Sequence, residues 1–245
     1  MANPLFYNKV IALDSVAHRH LAVQNLDRPL EFAGAANLIP ALTEEFTAAA
    51  PHLPIAFLPG AARPAAVFVV GTKPGTNVFI DADGKWTGGY LPAYLRRYPF
   101  IMGDVPDGEA ILCFDETSPA IGANVGASLF EEGGTPTATL TQALGLAENY
   151  RTAALRSDDF CDTLQGMGLL RSVTLDVKQP SGESSVVHGL LVLDEDAFDA
   201  LSAENLAKLH REKWLKPLMA HVISLSAIGK LSTINFTAES SKITV

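Results

Sequence analysis

The chain has 245 residues, 48 % hydrophobic and 18 % charged, enough to bury a substantial core in one large domain or two small ones. Its 18 basic residues are outnumbered by 27 acidic ones, and the net charge of −9 argues against a nucleic-acid binder and against binding to an anionic membrane surface. No apolar run is long enough to span a membrane, and the first residues lack the layout of a signal peptide. Cys113 and Cys161 form no CxxC pair, so the expectation is a cytoplasmic chain with two core thiols and neither a disulfide nor a zinc–cysteine site.

Residues 18–24 (HRHLAVQ) predict a strand that turns near residues 25–29. Residues 37–50 predict a helix: Asn37 suits its cap, Leu38, Leu42, Phe46 and Ala49 recur at helical spacing, and Pro51 ends it. Three short runs rich in β-branched and aromatic residues follow at 54–59, 65–71 and 76–80, punctuated by glycine and proline. Connections that short predict an antiparallel meander. Asp81-Ala-Asp83-Gly84 predicts a tight turn into Lys85 and Trp86.

Residues 91–97 suit a short helix with Pro92 in its first turn, stopped by Tyr98-Pro99. Strands are predicted at 100–103 and 109–114, and a helix over 137–166 in two pieces split near residues 157–159. Residues 169–177 and 184–193 predict a hairpin through Gln179-Pro-Ser-Gly182. Helices are predicted at 194–201 and 202–215, with Pro217 breaking the chain before a last helix at 218–228. Residues 232–245 form a polar tail expected to fray. Residues 131–136 (EEGGTP) separate a strand-rich half from a helix-rich half and are read as a loop within one domain. The expected fold class is α+β, a mainly antiparallel sheet packed with helices, as a single domain over residues 1–231.

Several local patterns approach known chemistry and fall short of it. On a strand, His18 and His20 would face one side, but Gln24 and Asn25 stand where a cupin-type metal site needs a carboxylate, and none precedes Asp27. Asp81-Ala-Asp83-Gly84 begins like a calcium loop, but Gly84 comes too early and Pro92 holds the place of the closing glutamate. Ser128 in Gly126-Ala-Ser-Leu-Phe130 lacks the second glycine of a nucleophile elbow, and Gly122-Ala-Asn-Val-Gly126 lacks the dinucleotide spacing. Cys113 follows Ile111-Leu112 and reads as a buried, inert thiol. Asp115-Glu116 can supply paired carboxylates, although a strand-end turn before Ser118-Pro119 accounts for them more simply. No metal and no cofactor is expected.

The richest constellation is residues 86–100 (KWTGGYLPAYLRRYPF counting from Lys85). Trp86, Tyr90, Tyr94 and Tyr98 recur every four residues beside Arg96 and Arg97. Gly88-Gly89 and Pro92 confine any helix to the later part. An aromatic face with a guanidinium can hold a carboxylate, a phosphate or a sugar ring, and these six residues are the candidate ligand site. The structural alternative packs the rings on the sheet and pairs an arginine with Asp81, Asp115 or Glu116. The last helices show Leu206, Leu209, Trp214, Leu218, Val222 and Leu225 as an apolar stripe edged by His210 and His221, which suits core packing before a partner surface.

The order of these pieces resembles the SapC family of bacterial proteins. The matching stretches are His18-Arg19, Leu42-Thr-Glu-Glu-Phe46, Pro54-Ile-Ala-Phe57 and Asn77-Val-Phe-Ile-Asp81. They continue through Trp86 and Tyr90-Leu-Pro-Ala-Tyr-Leu-Arg-Arg-Tyr-Pro-Phe100 to Leu129-Phe130, Gly168-Leu-Leu170, Gly189-Leu-Leu-Val-Leu-Asp194 and Ser224-Leu225. Near Lys213, Trp214 and Leu215 the chain departs from it, since similar sequences carry glycine there. The resemblance implies a bacterial source and a link to surface-layer formation or export, beside TonB-dependent receptors and flavin-dependent halogenase-like proteins. It carries over no catalytic residue.

Three functions stay in play. One is a non-enzymatic accessory or binding protein of an envelope or uptake system. Another is an enzyme or enzyme partner acting on a small molecule held by the Tyr/Arg segment, and the last is a surface-layer structural or export protein. The expected partner is an unidentified protein or a small molecule, with homo-oligomerisation open.

Overall fold

The structure, a computed structural model, describes residues 3–105, 108–178 and 184–233. Its first half runs β1 (Val10–Ala12), β2 (Leu21–Val23), β3 (Leu38–Pro40), α1 (Phe46–Ala49), β4 (Ile55–Leu58) and β5 (Ala65–Val69). Then come α2 (Ala93–Arg96), β6 (Phe100–Gly103), β7 (Ile111–Asp115), β8 (Ile121–Ala123) and β9 (Ala127–Ser128). The second half is α3 (Ala138–Gly166), β10 (Leu170–Lys178), β11 (Ser184–Leu193), α4 (Glu195–Asp199), α5 (Ala203–Arg211), α6 (Leu215–Ser224) and α7 (Lys230–Thr233). This is an α+β fold with antiparallel strand pairing throughout the described residues.

The largest sheet has the order β10-β11-β4-β5-β3; two smaller ones are β1-β7-β6 and β8-β2-β9. The predicted meander survives as β4 and β5, and the predicted hairpin as β10 and β11. The register of that hairpin shifts between Val173 and Leu175, opposite Gly189 at φ 76, a conformation glycine adopts without strain. The turn expected at residues 179–182 and the tail beyond residue 233 lie outside the described residues.

The main core packs α1, α3 and α6 on the large sheet. Phe160 is fully buried and its ring centre lies 6.1 Å from Phe46, 6.2 Å from Phe57 and 5.4 Å from Trp214. A second cluster of Phe100, Phe114, Leu129, Phe130 and Leu140 fills the space between the small sheets and the start of α3. Both cysteines are buried free thiols; burial raises the Cys161 pKa to about 12 and raises that of Cys113.

Four expectations are corrected. Residues 37–50 are not one helix: Leu38, Ile39 and Pro40 form an edge strand on β5, and only one turn of helix follows at α1. Pro40 is tolerated because an edge strand has one side free of ladder bonds. Residues 76–80 form turns with a single bridge from Ile80 to Trp86 in place of a third strand.

The third concerns α3, which runs unbroken through residues 157–159. Ser157 Oγ donates to Ala153 O at 2.8 Å and accepts the Thr43 N–H at 2.9 Å, so the hydroxyl is satisfied without ending the helix. Lastly, the break between the final helices falls before Pro217. Lys213, at φ 64, closes α5: Trp214 N–H donates to Leu209 O at 2.8 Å and Lys213 N–H to His210 O at 3.1 Å. Pro217 then falls in the first turn of α6, where its missing N–H costs nothing.

Candidate functional site

The segment that is densest in aromatic and cationic residues enters from a turn. Asp81 accepts the N–H groups of Asp83 and Lys85 at 3.0 and 2.8 Å, and Gly84 takes φ 68, the hairpin turn expected from the sequence. Trp86 lies against Phe79, ring centres 5.3 Å apart, with its Nε1–H buried and unpartnered. Pro92 caps α2, whose single turn sends successive side chains in different directions.

The backbone therefore distributes the six candidate residues over four environments, of which the Trp86–Phe79 contact is one. Tyr94 and Arg97 point into the core. Arg97 is 7 % exposed, and its guanidinium carbon lies 3.9 Å from the Tyr150 ring centre, 4.5 Å from that of Tyr94 and 5.7 Å from that of Tyr7. Its Nε–H has no partner, and among the described residues no carboxylate pairs with it, contrary to the expected pairing with Asp81, Asp115 or Glu116. Burial pushes the Tyr7, Tyr94 and Tyr150 hydroxyls upward, and the Arg97 charge partly offsets this.

Tyr90 and Arg96 turn towards Glu45. This glutamate is 5 % exposed. Its Oε1 accepts the Ala93 N–H at 2.7 Å and the Tyr90 hydroxyl at 2.9 Å, and its Oε2 accepts the Leu42 N–H at 3.1 Å. Arg96 Nη2 lies 3.8 Å from Oε1. Burial raises the Glu45 pKa, with the hydrogen bonds and Arg96 acting against it. The Tyr90 hydroxyl is pushed up to about 12, by burial and by the Glu45 charge.

Tyr98 stacks on Phe32 with ring centres 4.1 Å apart, and its hydroxyl donates to Asp115 Oδ2 at 3.3 Å. Asp115 is fully buried at the end of β7. Burial pushes its carboxyl up, but bonds from the N–H groups of Asn8, Lys9 and Thr117 and from the Thr117 hydroxyl outweigh that and hold the pKa low. The Asp115-Glu116 pair is thus a strand-end anchor for the residues before β1, with Glu116 paired to Lys9.

A groove of about 740 Å³ opens beside this segment. One wall is Leu91, Leu95, Arg96 and Tyr98; the other is the loop 26–32, with Phe32 against Tyr98. Of the six candidates, Arg96 and Tyr98 line it; Tyr94 and Arg97 are core, Tyr90 serves Glu45, and Trp86 lies on Phe79. Sequence reasoning missed Phe32, Glu45, Tyr7 and Tyr150, all distant along the chain; the stretch Leu42-Thr-Glu-Glu-Phe46 was the one signal for Glu45.

The histidine pair is also corrected. β2 begins at Leu21, so His18 and His20 sit in the preceding turn and do not alternate on a strand. His18 Nδ1 accepts the Asp14 N–H at 3.0 Å, and its ring meets Phe114 edge-on. Among the described residues no group of three or more His, Cys, Asp or Glu is arranged to hold a metal ion, and no helix is long and apolar enough to cross a membrane.

Glu45 ties the two motif stretches, residues 42–46 and 90–100, into one unit beside the groove. No curated protein and no solved structure matches the chain. The sequence model of the SapC family matches residues 13–231, nearly the whole length, and the chain belongs to the SapC family.

Proposed function

We propose that this SapC-family chain is a non-enzymatic binding protein whose groove takes a small carboxylic acid with an apolar body. The observation that carries this is the convergence of Leu91, Leu95, Arg96 and Tyr98 on a groove of about 740 Å³, within the range of small-molecule sites. Phe32 and Tyr98 supply an apolar aromatic wall. Arg28 is paired with Glu31 at 2.8 Å; Arg96 donates through Nε to Leu91 O at 3.2 Å and through Nη2 to the Tyr90 hydroxyl at 3.4 Å, with Nη2 3.8 Å from Glu45, which leaves its Nη1 donors for a ligand carboxylate. The buried carboxylates near the groove, Glu45 and Asp115, have their acceptor positions filled by backbone N–H and hydroxyl groups, which suits a scaffold role better than proton transfer. The setting is that of an accessory protein in a bacterial envelope or uptake system, folded as one unit through residue 231 and acting in the cytoplasm.

The test is a thermal-shift series with benzoate, indole-3-acetate and decanoate on the protein and on Arg96→Ala. A ligand present at 100 times its dissociation constant stabilises by about 2.7 kcal/mol, well above detection. At least one probe is expected to raise the melting temperature saturably, with affinity falling about tenfold in Arg96→Ala. No shift with any of the three, or equal shifts in the variant, contradicts the reading.

A further inference from the structure

A second cavity, about 490 Å³, lies where residues 43–47, α3 and the α5–α6 junction meet. Its lining carries the cations Arg156, Lys213 and Lys216 and the imidazole of His210 against one carboxylate, Glu44. The chain as a whole carries −9, so this patch inverts the sign of the surface around it.

Regular structure places these donors: Arg156 on α3, the His210 imidazole in the last turn of α5, and Lys216 in the first turn of α6. Lys213 occupies the left-handed residue between those two helices, φ 64, where glycine is free of strain. The floor beneath them is fixed. Trp214 is 7 % exposed, packed on Phe160, with the Arg156 guanidinium carbon 5.9 Å from its ring centre. Thr43 is 6 % exposed, its N–H held by Ser157 Oγ.

The cations are also under-neutralised. Arg63 and Arg151 are paired at 2.7 and 2.8 Å with Asp158 and Asp104. Arg156 meets Glu44 only at 3.6 Å, and Lys213 and Lys216 form no ion pair among the described residues. Cations converging from three elements match a tetrahedral anion, whose oxygens accept from several directions, better than a planar carboxylate. The space exceeds what a bare anion needs and leaves room for an attached group.

We propose that this cavity is a site for a phosphoryl group carried on a small molecule. It is independent of the groove at Arg96 and Tyr98, from which its residues are distinct.

Calorimetric titrations at constant ionic strength test it, using the full chain with inorganic phosphate, pyrophosphate, glycerol phosphate and, as a control, sulfate. The variant is Lys213→Gly with Lys216→Ala: glycine suits the φ of residue 213 and residue 216 is exposed, so the fold is retained. Saturable binding of a phosphate compound, weakened about tenfold or more in the variant, is expected. Preference for glycerol phosphate or pyrophosphate over inorganic phosphate identifies a carried group; equal binding of inorganic phosphate overturns that part. No saturation by about 10 mM, equal affinity in the variant, or equal binding of sulfate overturns the site.

Discussion

The Glu45 carboxylate accepts the backbone N–H of Ala93 at 2.7 Å, joining the turn before α1 to the start of α2 across 48 residues of chain. The same carboxylate closes its own turn through Leu42 and takes the Tyr90 hydroxyl. One buried side chain thus orients the strand of residues that forms the groove wall, and Leu91, Leu95 and Arg96 depend on it for their placement.

Glu45→Ala leaves the Leu42 and Ala93 N–H groups buried without an acceptor, which costs roughly 2 to 4 kcal/mol. Glu45→Gln retains one acceptor oxygen but sets an NH2 donor against one of the two backbone N–H groups, so it costs roughly 1 to 3 kcal/mol, less than Glu45→Ala. Urea denaturation measures both; equal losses in the two variants count against the role of the carboxylate oxygens as acceptors.

Arg97 is an unpaired cation in a nest of tyrosine rings. Cation–π attraction contributes about 2 kcal/mol when desolvated, whereas burying an unpaired guanidinium costs several. Arg97→Met, which keeps the bulk and removes the charge, is therefore expected within about 1 kcal/mol of the parent. Arg97→Ala, which opens a void beside Tyr94 and Tyr150, is expected to cost about 2 to 4 kcal/mol. Equal destabilisation by both substitutions in chemical denaturation means that the charge itself holds the rings.

His221 is fully buried and bridges two strands: its Nδ1–H donates to Ile55 O at 3.0 Å and its Nε2 accepts the Leu193 N–H at 3.1 Å. Burial pulls its pKa from 6.5 down to about 4. The unfolded chain therefore binds a proton that the folded chain does not between pH 6.5 and about 4. Stability present above pH 6.5 is lost on acidification across that window, by about 3 kcal/mol at most. Glu45, whose pKa is raised, opposes this loss, and Asp115, whose pKa is lowered, adds to it only at the acid end. Denaturation curves at pH 7 and near pH 4.5, run on the parent and on His221→Gln, isolate the term: the pH difference should shrink in the variant, and an unchanged difference refutes it.

Lys213 holds a left-handed conformation that costs a residue with a Cβ about 1 kcal/mol. Lys213→Gly is expected to stabilise the fold or leave it unchanged, because glycine's greater freedom in the unfolded chain offsets part of the relief. A loss of more than about 1 kcal/mol in thermal denaturation shows that the lysine side chain stabilises the helix junction.

The strands at Ile55–Leu58, Ala65–Val69, Phe100–Gly103 and Ile111–Asp115 were legible because β-branched and aromatic runs are bounded there by glycine or proline. Residues 37–50 misled because Leu38, Leu42, Phe46 and Ala49 fit a helical period while being buried for a different reason: strand, turn and helical turn each face the same core. The strand at Val10–Ala12 escaped notice because its ladder is with residues about a hundred positions away. At the candidate site, a four-residue spacing of aromatics singled out a segment of which Arg96 and Tyr98 line the groove, but one turn of helix cannot keep four rings on one face. The partners that decide each side chain's direction, Glu45, Phe32 and Tyr150, come from other elements, and no local pattern encodes them.

Ligand binding in the groove beside Arg96 and Tyr98 can be mapped residue by residue. Backbone amide shifts are followed by NMR while the strongest of the three carboxylates is titrated in. Saturating changes confined to residues 26–32, 91–98 and 119–120, absent in Arg96→Ala, are expected of a ligand seated in the groove. Changes centred elsewhere, or none at saturating ligand, contradict binding in the groove.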